Sequence, residues 1–152
     1  MILGQAQTTT FKLNLLKGLE NFYTGSPYTY KIALYNATAT INSETTAYTT
    51  DNEITGTGYT AGGRTLVLIP PASSGSTAYV SFNNVTWSPA SFTANSALIY
   101  NATTGAAVCV LNFGSDKTCS NSFTIQFPTA SYSSAILTLG TTTSSINYSS
   151  PD

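Results

Sequence analysis

The chain has 152 residues, of which only 7% are charged, with a formal net charge of −1 and no histidine. That length is one domain, large enough to bury a core without staples. The composition excludes several functions. Five cations make no footprint for a phosphate backbone, so nucleic acid is not an expected partner. Without histidine, Ser-His-Asp and Cys-His catalysis are absent, and two cysteines cannot complete a four-ligand zinc site.

Average domains are about 25% charged. Here serine and threonine fill the gap and give a hydroxyl-rich, nearly neutral exterior. Mean hydropathy is +0.04. No run approaches the roughly 20 apolar residues of a membrane helix, and Met1-Ile2-Leu3 is too short for a signal-peptide core. Synthesis in a cytoplasm, without export and without a membrane partner, is expected.

In chain order, residues 1–9 read as an arm with an apolar tip. Thr10 is the expected N-cap of a helix over residues 10–22, because Phe11, Leu15, Leu19 and Phe22 share one helical face. That stripe predicts a short amphipathic helix packed on a sheet, with docking on a partner as the alternative, and Gly25-Ser26-Pro27 ending it. Tyr30, Ile32 and Leu34 then alternate with Lys31, Ala33 and Tyr35, as in a half-buried strand. Residues 36–53 are polar and threonine-rich and read as a long surface excursion.

Residues 51–69 carry Gly56, Gly58, Gly62 and Gly63 and then the apolar run Leu66-Val67-Leu68-Ile69. The glycines mark a shaped loop and the run a buried strand, stopped by Pro70-Pro71. The segment is not a phosphate loop. Arg64 stands where a lysine is needed, and a strand follows instead of a helix. Further strands are predicted at 78–82, continuing to Val85 and Trp87, and at 97–100. A hairpin leads to 107–113, and last come 123–127 and 135–139. Residues 141–152 read as a loose serine/threonine-rich tail. The result is an all-β fold. It is an antiparallel β-sandwich, jelly-roll or immunoglobulin-like, over residues 10–140 with one helix.

Tyr35-Asn36-Ala37-Thr38 recurs as Tyr100-Asn101-Ala102-Thr103, which reads as two strand-exit turns using asparagine for its unusual φ/ψ. Cys109 and Cys119 read as small buried hydrophobes rather than a disulfide. Asp51 and Glu53 read as carboxylates solvating a loop, not as a facing catalytic pair or a calcium site. Sequons at Asn36, Asn84, Asn101 and Asn147 are no more than this composition produces by chance. The ten tyrosines suit either a protein lattice or a sugar surface.

Three blocks occur in a specific order. The first is Thr45-Thr46-Ala47-Tyr48-Thr49 through Gly56-Thr57-Gly58-Tyr59-Thr60-Ala61-Gly62-Gly63. The second is Trp87-Ser88-Pro89-Ala90-Ser91-Phe92-Thr93-Ala94 with Ala97-Leu98-Ile99-Tyr100-Asn101. The third is Val110-Leu111-Asn112-Phe113-Gly114-Ser115-Asp116-Lys117-Thr118 with Phe123-Thr124-Ile125-Gln126-Phe127-Pro128. Together they resemble a family of small virion structural proteins of tailed bacteriophages. The resemblance implies a virion component made in the host cytoplasm, not an enzyme, with no cofactor. The implied role is capsid decoration, or cement, on the outside of the major capsid protein lattice, as a homo-oligomer such as a trimer. A carbohydrate-binding tail or fibre module and a head–tail adaptor are the alternatives. On this reading the arm and the glycine-rich loop touch capsid or sister subunits through Met1, Ile2, Leu3, Tyr59 and Arg64.

Overall fold

The computed structural model describes residues 5–140. The chain enters as a short strand, β1 (Ala6–Gln7), and turns at Thr8 into α1 (Thr9–Leu16). Thr8 is extended and fully buried. Its hydroxyl accepts from the Phe11 N–H at 3.1 Å and donates to the Ala107 carbonyl at 2.9 Å, so the cap also fixes the helix to the sheet. The expected cap at Thr10 is therefore corrected to Thr8, and the expected arm over residues 1–9 to a segment woven into the domain from Ala6 onward. Residues 1–4 and the tail at 141–152 lie outside the described residues.

The helix also ends earlier than its apolar stripe suggests. Gly18 takes φ +69, its N–H bonds the Leu15 carbonyl, and the Leu19 N–H reaches back to the Asn14 carbonyl at 2.8 Å. These bonds form a Schellman motif, which satisfies the last carbonyls and turns the chain away. Leu19 and Phe22 therefore lie beyond the helix. Phe22 still reaches the core, stacked on Tyr30 at 4.6 Å between ring centroids, whereas Leu19 is exposed. The helix buries Phe11 and half-buries Leu15 but leaves Leu13 and Leu16 outside.

The strands that follow are β2 (Tyr30–Tyr35), β3 (Arg64–Thr65), β4 (Leu68–Ser74), β5 (Thr77–Phe82) and β6 (Val85–Trp87). The last four are β7 (Phe92–Asn101), β8 (Ala107–Cys119), β9 (Phe123–Ile125) and β10 (Leu137–Leu139). All paired strands are antiparallel. A five-stranded sheet in the order β1-β8-β7-β2-β3 packs against a three-stranded sheet, β10-β5-β4, and the pair β6-β9. The fold is an all-β antiparallel sandwich with one short helix.

The large sheet is buried on both sides. Tyr30, Ile32, Leu34, Ala97 and Ile99 point into the inter-sheet core with Phe82, Trp87 and Phe92. Ala33, Tyr35, Leu98, Tyr100 and Val110 point the other way and are covered by Ala39, Ile41 and Tyr48 from residues 36–53. The polar excursion is thus a lid. It is tied down by the Ala107 N–H to the Thr46 carbonyl at 3.0 Å and by the Tyr35 hydroxyl to the Thr49 carbonyl at 2.6 Å. Burial on both faces explains why β2 is buried at every position except Lys31.

Pro70-Pro71 does not stop a strand. β4 runs through both prolines at the edge of its sheet, and the register with β5 slips between Ile69 and Ala72, where the missing N–H groups are tolerated. The buried run expected at 66–69 is divided: Leu66 is buried, Val67 exposed, and Leu68 begins β4. The two Tyr-Asn-Ala-Thr sequences are strand-exit turns. Neither asparagine has positive φ, however; Asn36 Oδ1 accepts from the Thr38 N–H at 2.9 Å and Asn101 Oδ1 from the Thr103 N–H at 3.0 Å. Both cysteines are free, on the same strand, with Cys109 buried and Cys119 half-buried. Burial pushes the Cys109 thiol up to about 12, so it is an inert core thiol. No helix among the described residues is long and apolar enough to cross a membrane.

Candidate functional site

The glycine-rich loop is built around Glu53, which sequence reasoning assigned to solvent. Glu53 Oε1 accepts from the Tyr59 hydroxyl at 2.6 Å and the Gly62 N–H at 2.7 Å, and Oε2 accepts from the Tyr48 hydroxyl at 2.6 Å. Tyr59 Oη in turn accepts from the Leu34 N–H at 2.9 Å, and the Tyr100 hydroxyl donates to the Gly62 carbonyl at 2.8 Å. Tyr48 stacks on Tyr100 with centroids 4.6 Å apart. One carboxylate therefore joins the lid, the loop and the large sheet.

This arrangement turns the loop's own donors inward, onto Glu53. The Gly62 N–H is spent on the protein's own carboxylate. Burial, reinforced by Glu53, raises Tyr35, Tyr48, Tyr59 and Tyr100 above the ordinary phenol range and keeps them neutral donors. Gly63, at φ +68, is required because a Cβ there would fall on the Ile32 carbonyl oxygen.

A second carboxylate works the same way. Glu20 Oε2 accepts from the Tyr30 hydroxyl at 2.8 Å and from Asn101 Nδ2 at 3.0 Å. Asn101 is fully buried, which also removes it as a glycan acceptor. Burial and then Glu20 push Tyr30 upward. Among the described residues no three His, Cys, Asp or Glu side chains gather as metal ligands. Glu44 and Asp51 are exposed, and Asp116 accepts from Asn95 Nδ2 at 2.8 Å.

Of the expected contact residues, Met1, Ile2 and Leu3 lie outside the described residues. Tyr59 turns inward rather than toward a partner, its ring packed between Trp87 and Phe92. Arg64 is exposed, its guanidinium 6.0 Å from the Trp87 ring centroid. Of the described tyrosines only Tyr23 and Tyr132 are exposed. The open apolar surface lies elsewhere, on and just after α1: Leu16 is 88% exposed, Tyr23 72%, and Leu13 and Leu19 about half. Beside it a small groove runs between Phe11, Leu15 and Phe22 on one bank and Pro71, Val80 and Leu139 on the other. Repeated leucine in the helix sequence was the available signal: Leu13 and Leu16 lie off the stripe of Phe11, Leu15, Leu19 and Phe22 from which the packed face was read.

No protein-family model, no curated protein and no solved structure matches the chain.

Proposed function

We propose that the protein is a non-enzymatic virion component of a tailed bacteriophage. It decorates the outside of the major capsid protein lattice, from the virion surface, as a homo-oligomer. The reading rests on the three ordered sequence blocks and on one observation, the exposure of the large apolar side chains Leu13, Leu16, Leu19 and Tyr23 on and just after α1, in a hydroxyl-rich chain of which only 7% is charged. A protein lattice suits such side chains, because contact removes their apolar surface from water. Glu53 and Glu20, spent as internal acceptors, favour a binding module over a catalyst. That only Tyr23 and Tyr132 among the described tyrosines are exposed weakens the carbohydrate-binding alternative.

The test is the copy number in purified particles, by quantitative mass spectrometry against the major capsid protein. Decoration requires hundreds of copies, in proportion to the shell. About a dozen or fewer places the protein at the portal vertex or tail and overturns decoration in favour of an adaptor or receptor-binding role. Absence from particles overturns the virion reading. On particles that carry it, Leu13→Glu with Leu16→Glu is expected to abolish occupancy while leaving the unfolding temperature within a few degrees.

A further inference from the structure

The segment between α1 and β2 presents one aromatic ring to solvent on a braced backbone. The Tyr23 N–H donates to Asn21 Oδ1 at 2.9 Å, the Ser26 N–H to the Tyr23 carbonyl at 2.8 Å, and the Tyr28 N–H to Ser26 Oγ at 3.1 Å. These successive turns fix the path of residues 21–28. The Thr29 N–H then donates to Thr103 Oγ1 at 3.0 Å and ties the segment to the turn between β7 and β8. Gly25 lies against the Tyr23 ring. A Cβ at that position would come within 2.7 Å of Tyr23 Cε1, so glycine is what lets the ring rest on the backbone. The rest of the ring is open, and Tyr23 is 72% exposed. A tyrosine held in this way offers a large amphipathic contact and loses little freedom when it is covered.

Tyr23 lines a groove of about 350 Å³ formed by this segment and by residues 65–68. None of the residues lining it is charged. The hydrogen-bonding groups along it are neutral: the Asn21 amide and the hydroxyls of Thr24, Tyr28 and Thr65. Among the described residues, Asn21 Nδ2 and these three hydroxyls make no hydrogen bond. A charged ligand finds no counter-charge here. A wholly apolar ligand would strip water from the amide and the hydroxyls and return nothing. A ligand with an apolar C–H face and a rim of neutral hydroxyls satisfies both the ring and the polar groups. A neutral pyranose has that form. The volume is at the low end for ligand sites, about 300–1,000 Å³, and suits one sugar ring rather than a long chain.

We propose that this groove binds one neutral pyranose residue, stacked on Tyr23 and hydrogen-bonded by Asn21 and Tyr28. The site is a function beyond lattice attachment, and Leu13, Leu16 and Leu19 are not among the residues that line it.

The experiment is a titration of the isolated full chain with the methyl glycosides of glucose, galactose, mannose and N-acetylglucosamine, so its outcome does not depend on where the protein sits in a particle. Binding is read by saturation-transfer NMR and by the side-chain amide signals of Asn21. Millimolar binding of at least one of the four is expected, because a single ring has few atoms to contribute. Tyr23→Ala is expected to weaken it by about tenfold or more, and Tyr23→Phe, which keeps the ring, to leave it within about twofold. Gly25→Ala, which pushes the ring off its seat, is expected to weaken it by about threefold, whereas Tyr132→Ala, at the other exposed tyrosine, leaves it unchanged. Tyr23→Ala is also expected to unfold within about 2 °C of the parent, so that a loss of binding is a loss of the platform and not of the fold. Three results overturn the proposal. One is no response to any of the four glycosides at about 50 mM. Another is a response that Tyr23→Ala leaves unchanged, which places the binding elsewhere. The third is a methyl glucuronide bound more tightly than the glucoside, which assigns the groove to an anion.

Discussion

The two faces of the five-stranded sheet are closed by different means. One meets other sheets through interlocking side chains, with Trp87, Phe82 and Phe92 at the centre. Among the described residues the other meets no regular structure. Residues 36–53 lie across it with few apolar anchors, Ala39, Ile41 and Tyr48, and the rest of the closure is polar, organised by Glu53 and four tyrosines. The first face is held by buried area, the second by a small number of directional bonds. The difference teaches that a segment without periodicity can complete a core if a carboxylate and a few hydroxyls fix its path.

Deletions of bulk separate the two faces most widely. Trp87→Ala, at a side chain 1% exposed amid Tyr59, Phe92 and Phe123, is expected to cost about 4 kcal/mol. Ile41→Ala, on the lid, is expected to cost about 2 kcal/mol, the low end of its class, because a loop can settle into the space where a sheet cannot. Urea unfolding of the two variants measures both. Equal losses would mean that the lid is as rigidly packed as the inter-sheet core.

Backbone geometry sharpens the comparison next. Gly63 and Gly105 both have positive φ, +68 and +83, but only Gly63 has a backbone oxygen where a Cβ would go. Gly105→Ala is expected to cost about 1 kcal/mol for the strained φ alone. Gly63→Ala is expected to cost at least about twice that, since the loop must lift from β2 and surrender the bond from the Gly62 N–H to Glu53. If the two cost the same in urea unfolding, the loop is not pinned.

The polar half of the contrast is tested at Glu53. Glu53→Gln weakens three hydrogen bonds to one carboxylate and is expected to cost about 2 kcal/mol. Hydrogen exchange should accelerate first at Ile54 and Gly62 and little in β7 and β8. The tyrosines give the same cluster a pH signature. Their folded values are raised above the ordinary value of 10.0, so the unfolded chain releases their protons first. Their contribution is complete below pH 10 and is lost as pH rises above it toward the folded values, so unfolding free energy should fall steadily above pH 10. Stability that stays flat above pH 10 would mean the phenols are not sequestered.

Much of the sandwich was legible because its strands alternate. Tyr30, Ile32 and Leu34, Ala78 to Phe82, and Phe123 with Ile125 have period two, and the Asn101–Ala106 turn marks the β7–β8 hairpin. The helix boundaries were misread for a local reason: Thr8 and Gly18 are the real caps, and a stripe that continues past Gly18 by chance outweighed them. The prolines misled because an edge strand with a slipped register tolerates what a central strand does not. Glu53 was illegible in principle. Its partners Tyr48, Tyr59 and Gly62 lie close in sequence, but only the folded lid turns them toward one point, and nothing in a polar run separates a solvated glutamate from a hub.

The smallest expected effect is a gain. Ser96 lies in β7 between Tyr35 of β2 and Asn112 of β8, fully buried, and among the described residues its hydroxyl has no hydrogen-bond partner. It shares the phase of Leu98 and Tyr100 and so belongs to the lid face. An orphaned buried hydroxyl costs its desolvation and returns nothing, whereas alanine keeps the strand and removes the cost. Ser96→Ala is therefore expected to stabilise the protein by about 1 kcal/mol, seen as a rise of about 3 °C in unfolding temperature. A fall instead would show that the hydroxyl is bonded, through a bound water or a lid group, and that the polar closure of this face extends further along β7 than Glu53 and its tyrosines.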